Sequence, residues 1–361
     1  MKRWTVSEAA LGKGRFKEEF IGRKMEEKNY NIELIRTLSF VFVIVIHVAN
    51  YYCRGYAEIS RGEYGFALIL DAMARVSVPC FFMMSGALLL GEKPNLDKNV
   101  RRLFRFFKVL LAWSVIYYFF NVYYMHSKVN LKAVLFEPVE AHLWYLYALL
   151  PIYLVLPFFQ IMCWGMKKKY DDAFIAMCLV VVVAQYISSL FHEEPYYDVP
   201  LLGDRAYTFY FFAGYFIQKY RNKIPWRFPV VASIFAGSTA FEIVLTALVS
   251  FKKGDHYERL LEYGCPFVVI SGVAFFMMLY KVHGGQIEFP RGMKKWMDRL
   301  GGCSFGIYLI HILFLDIFKK YVDPGDLSAY LVIPVLSVGL GLISYLCVYG
   351  LNKTPLRRIL F

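Results

Sequence analysis

Apolar segments of about 18–25 residues recur along the whole chain, each bounded by charged residues or by glycine and proline. This recurrence restricts the possible folds more than any other feature. A helix needs roughly 20 apolar residues to cross the ~30 Å hydrocarbon layer. Inside lipid every backbone N–H and C=O must find its partner without water, which favours helices. The spans are read as 32–52, 66–90, 103–124, 142–164, 172–191, 205–218, 229–251, 265–282, 303–320 and 328–350. The expected fold is an all-α, polytopic transmembrane bundle of about ten spans, the sixth of them short. Composition agrees: 58% of residues are hydrophobic, above the roughly 45–50% of an ordinary soluble domain. No internal repeat suggests the two-fold architecture of many transporters.

The connecting segments are too short for a second domain, so residues 31–361 read as one membrane domain and 1–30 as a polar cytoplasmic segment. That head has no apolar h-region, so no cleavable signal is expected. The net charge is +13, but its basic residues lie mostly in short loops, which points to topology and lipid contact rather than nucleic acid. With the N-terminus inside, the inner segments carry 29 Lys/Arg and the outer ones 10, including an outer loop with the acidic run His192-Glu193-Glu194. This asymmetry predicts cytoplasmic N- and C-termini. Seven scattered cysteines, with no CxxC pair and no metal spacing, read as small apolar packing residues; no metal is expected.

Ionisable side chains at membrane depth are costly and mark functional candidates. Arg36 and His47 are eleven residues apart, about 20° beyond three helical turns, so they share a face with a rise of about 16–17 Å. Glu33 lies on that face, one turn from Arg36, and can pair with it. Arg36 is read either as snorkelling to headgroups or as part of a functional stripe, and His47 either as a packing residue or as a proton-transfer group. Arg75 lies at the same expected depth as His47, about 22 Å from the inner face. Its partner is either Asp71, one turn away, or a cavity shared with His47. Pro79 and Gly86 are expected to loosen that helix, and Ser85-Gly86 to allow close backbone approach. Arg102 and Arg105, in the next inner loop, read either as positive-inside charge or, sharing one face, as a site for an anionic phosphate. His142 and Trp144 read as an aromatic belt or a sugar platform at the outer face. Glu242 and Asp316 lie near the depth of His47, and each reads either as orienting a histidine or as packing against a neighbouring polar group. His311, following Tyr308, reads as a structural hydrogen bond to another helix or as a cavity residue. His126, His192, His256 and His283 are expected in loops.

Taken together, these residues resemble the acyltransferase-3 family, especially its surface polysaccharide O-acyltransferase branch. Arg36 and His47 fill an arginine-x10-histidine motif, and Arg75 through Gly86 resembles an arginine-(aliphatic)-Phe-Phe-x-x-Ser-Gly segment. Arg102-x-x-Arg105, His142-Leu-Trp144-Tyr145-Leu-Tyr147, Phe211-Phe-Ala-Gly214-Tyr215 and Ile307-Tyr308-Leu-Ile-His311 follow in order. Each motif alone is weak, but six in order across about 31–350 are specific. The polar head departs from the family's near-immediate start.

The resemblance implies transfer of an acyl group, usually acetyl, from cytoplasmic acyl-CoA to a hydroxyl of an envelope glycan in a bacterial plasma membrane. It implies His47 as general base, with an acyl-histidine as the less favoured variant, Arg75 at the oxyanion or a polar substrate group, and Glu33 positioning Arg36. Arg36, Arg102, Arg105 and Ser85 are then expected to hold acetyl-CoA, the co-substrate. His142, Trp144, Glu242, Tyr308 and His311 are expected to meet the acceptor. The expected partners are the donor, the glycan and the bilayer; the oligomeric state is left open, with a homodimer as one option. Two competing classes are a secondary transporter using Arg75, Asp71, Glu242 and His47, and a non-catalytic membrane sensor of the kind related to the membrane domain of vancomycin-type serine racemases.

Overall fold

In a computed structural model, which describes residues 29–129, 137–191, 206–225, 227–280 and 288–361, the apolar segments fold as helices and no strand occurs among the described residues. The polar head up to residue 28, the run His192-Glu193-Glu194 and His283 lie outside the described residues.

Helix α1 (Tyr30–Arg54) starts at Asn29, whose side chain accepts from the Asn31 N–H, a standard N-cap that satisfies one orphan donor. The second apolar segment is two helices, α2 (Arg61–Ala74) and α3 (Ser77–Leu89). A Ser60–Glu63 capping box starts α2. The break falls at Arg75-Val76, just before Pro79, not between Pro79 and Gly86 as the sequence suggested. Proline cannot donate to the carbonyl four residues back and its ring clashes with it, so Pro79 is accommodated in the first turn of a new helix.

Helix α4 (Leu96–Phe119) continues as a wider turn through Tyr124. Its start corrects the expectation of an inner loop: Asn95 accepts from the Lys98 N–H, so Arg101, Arg102 and Arg105 lie on the helix. Next come α5 (Trp144–Gly165), preceded by a short turn at Ala141–Leu143, α6 (Lys168–Leu190), α7 (Tyr207–Tyr220) and α8 (Phe228–Lys253). A turn at Glu258–Leu261 leads to α9 (Pro266–Tyr280), followed by α10 (Arg291–Lys319), α11 (Ala329–Leu351) and a short α12 (Arg357–Leu360).

Among the described residues, nine helical segments are long and apolar enough to cross a membrane, counting α2 and α3 as one. The short sixth expected span, 205–218, corresponds to α7, whose 14 residues rise only about 21 Å. Every residue from Tyr207 to Ile217 is buried, so its apolar character serves the bundle interior. It crosses α3 at two facing glycines. A Cβ on Gly86 would lie 1.6 Å from the Phe211 carbonyl oxygen, and one on Gly214 would lie 1.9 Å from that of Met83. Only glycine permits this backbone approach. Thus Gly86 is a packing point, not a point of flexibility.

One core cluster joins α3, α5, α7 and α9; another joins α1, α2, α4, α10 and α11. On α11, Val335, Val338, Leu342 and Leu346 form an exposed apolar stripe, as a lipid-facing helix requires. All seven cysteines are free, and all but Cys347 are buried.

Candidate active site

Between the two clusters lies a cavity of about 230 Å³. Helix α1 contributes Arg36, Val43 and His47; α3 contributes Phe81 and Ser85; α5 and the turn before it contribute His142, Trp144, Tyr145 and Tyr153; α10 contributes Ser304, Phe305 and Tyr308. The spacing of Arg36, Val43 and His47 is that of one helical face, so the stripe read from the sequence faces a single cavity. Arg36 is fixed by Glu33, one turn back, at 2.7 Å. Gly301 on α10 makes room for this pair, since a Cβ there would sit 2.5 Å from a Glu33 carboxylate oxygen.

Around His47 the structure gathers two further imidazoles. The His47 and His311 rings stand 5.2 Å apart, and His311 and His142 stand 5.9 Å apart. His311 is fully buried, with Nδ1 2.7 Å from the Tyr308 carbonyl oxygen and 3.1 Å from that of Ile307. The hydrogen bonds of Nδ1 therefore go to its own helix. His142 is 1% exposed and packs edge-on against Tyr117 and Tyr308; the Tyr308 hydroxyl donates to the His142 carbonyl. His142 thus belongs to the buried wall rather than to a solvent-facing platform. Trp144 stacks on Tyr207 and leans on Tyr263, so its aromatic face looks into the bundle.

Arg75 does not line the cavity. Its Nε and Nη2 bond both oxygens of Asp71, at 3.1 and 2.9 Å, and Nη2 reaches Glu258 at 3.4 Å. The guanidinium lies 6.0 Å over the ring of Tyr263, which does line the cavity. The Asp71 alternative therefore holds, because a buried guanidinium needs a carboxylate more than it needs a cavity. Glu258 is shared with Arg54 and Asn50, tying the turn before α9 to α1 and α2. Glu242 lies away from the cavity, buried near Arg75 and Asp71, with neither carboxylate oxygen hydrogen-bonded; it does not meet His47. Asp316 pairs with Lys319 at 3.3 Å and orients no histidine. Arg102 bonds Asn99 and pairs with Glu92, while Arg105 donates to the Phe361 backbone oxygen. Both stand outside the cavity wall.

Cys53, Asp71 and His256 bring ligand atoms within 4.8 Å of one another. Both Asp71 oxygens are occupied by Arg75, whose positive charge opposes a cation, so the trio is part of the ion-pair network. His256 is in the expected loop but half-buried, with Nδ1 3.0 Å from the Tyr64 hydroxyl; burial pushes its imidazole below the usual range. Sequence reasoning missed Tyr145, Tyr153, Tyr263, Phe106 and Phe305 as cavity walls. Nothing in their spacing separates them from the many other aromatics that pack the spans.

Residues 29–351 match the family model described as an acyltransferase domain. The chain belongs to the acyltransferase-3 family. No curated protein and no solved structure matches it. In this multi-pass acyltransferase the cavity described above places an imidazole on its wall and an arginine on the same helical face.

Proposed function

We propose that this acyltransferase moves an acyl group, most simply acetyl, from cytoplasmic acyl-CoA to a hydroxyl of a cell-surface polysaccharide or other envelope glycan at a bacterial plasma membrane. The observation that supports this best is the shared cavity of Arg36 and His47 on one face of α1. Their separation along α1, about 16–17 Å, is comparable to the pantetheine arm. A volume of about 230 Å³ is below the roughly 300–1,000 Å³ of pockets that take a whole drug-sized ligand. It suits the thin arm, with the nucleotide left outside near Arg36, Arg102 and Arg105. The excess of inner Lys/Arg supports cytoplasmic termini and, with them, a cytoplasmic position for these arginines.

The acceptor hydroxyl attacks the thioester carbonyl while His47 takes its proton. The C–O bond forms, the C–S bond breaks, and His47 returns the proton to the departing thiolate sulfur. Ser85 sits on the cavity wall beside the donor path. Trp144, Tyr308 and His142 form the wall the acceptor meets, whereas Arg75 acts at one remove by fixing Glu258 and Tyr263. Purified protein given labelled acetyl-CoA should release free thiol only when an envelope glycan extract is present. Release at the same rate without glycan, or glycan movement across liposomes without thiol release, would contradict the proposal.

A further inference from the structure

We infer that His311 is the positioning residue of the reaction, holding the imidazole of His47 through its own Nε2; this rests on the base role proposed above for His47. A carbonyl oxygen can only accept, so the contacts of His311 Nδ1 with Tyr308 and Ile307 place the proton on Nδ1. In the neutral ring the lone pair is then on Nε2. That nitrogen is buried and has no hydrogen-bond partner, although buried polar atoms nearly always have one. His47 is the nearer of the two imidazoles beside the His311 ring, at 5.2 Å between ring centres against 5.9 Å for His142. An N–H···N bond spans about 3 Å between nitrogens, and each nitrogen lies about one bond length from its ring centre. Two imidazoles 5.2 Å apart are therefore at a spacing that such a bond can span.

The consequence is a fixed division of labour. His311 Nε2 accepts the N–H of His47, leaving the other His47 nitrogen unprotonated toward the cavity, where it takes the acceptor proton. The same bond steadies the imidazolium formed in the step, as a partner carboxylate does in other histidine bases. The backbone anchor of His311 keeps its tautomer from switching. No proton leaves the site, since the one His47 receives goes to the thiolate.

Two substitutions separate this role from simple packing. His311→Gln sets an amide oxygen near the place of Nε2 and keeps the acceptor. His311→Asn sets an amide nitrogen near Nδ1 and keeps only the backbone anchor. With purified protein, acetyl-CoA and glycan, His311→Asn should lose about 10–100-fold in kcat with donor KM little changed, and His311→Gln should recover most of that loss. The double variant His47→Ala/His311→Asn should be no slower than His47→Ala, because a residue acting through His47 has nothing left to position. If His311→Asn matches or exceeds His311→Gln, or if the losses in the double variant multiply, the inference is overturned. An inactive His47→Ala beside a fully active His311→Asn defeats the inference alone. A fully active His47→Ala removes the base reading on which it stands.

Discussion

Glu33 shows how one side chain sets the chemistry of another. It is nearly buried, and its 2.7 Å bond aims Arg36 along the cavity face. Such a charge-assisted bond is stronger and more directional than a neutral one. Glu33→Gln should therefore raise donor KM about 5–10-fold, equivalent to about 1 kcal/mol, with kcat nearly unchanged; steady-state kinetics against acetyl-CoA checks this. The buried Arg75–Asp71 pair makes a different prediction. Asp71→Asn leaves a guanidinium at 8% side-chain exposure without its main counter-charge, and breaking such a pair costs about 3–5 kcal/mol. A large fall in melting temperature in detergent is the expected outcome. The Arg36–His47 stripe and its Glu33 partner were legible because all three lie on one helix, where spacing fixes direction. The partner of Arg75 was legible only as one of two alternatives. The meeting of His47 with His311 and His142 was not, since it depends on how three separate segments pack.

The elements record where the sequence speaks and where it is silent. Apolar length gave the helices, and Pro79 signalled a disturbance, but the break falls one turn earlier because a proline spoils the carbonyl four residues before it. Asn95 was an unread cap, so α4 begins at Leu96 and carries the arginines assigned to a loop. The Ser85-Gly86 step was readable as a close contact; its partner Gly214 was in a quoted motif without any sign that the two meet. Gly86→Ala forces a Cβ to 1.6 Å from a backbone oxygen, so the helices must separate, at a cost of at least about 1–3 kcal/mol. Gly339→Ala, where a Cβ meets nothing within 4 Å, should be neutral or stabilise by about 0.5–1 kcal/mol. Thermal melts of the two variants side by side test the contact.

For the whole molecule, two core clusters meet along a cavity with Arg36 and His47 on one wall and an aromatic surface opposite. In the proposed reaction this cavity is where the base and the thioester meet, between largely aromatic walls. Under the proposed function, the charge asymmetry of the loops favours the Arg36 end toward the cytoplasm, the side of the proposed donor. The chamber itself was beyond sequence reading, because its walls are aromatics indistinguishable in pattern from packing residues. The central claim is that His47 is the base at the reactive end of this chamber. The measurement that tests it most directly is transfer of labelled acetyl from acetyl-CoA to glycan by purified His47→Ala beside the unaltered protein, with melting curves to show that both are folded. If His47 is the base, His47→Ala loses about 10²–10⁴-fold with folding retained; a folded His47→Ala that transfers acetyl at the full rate would contradict that role.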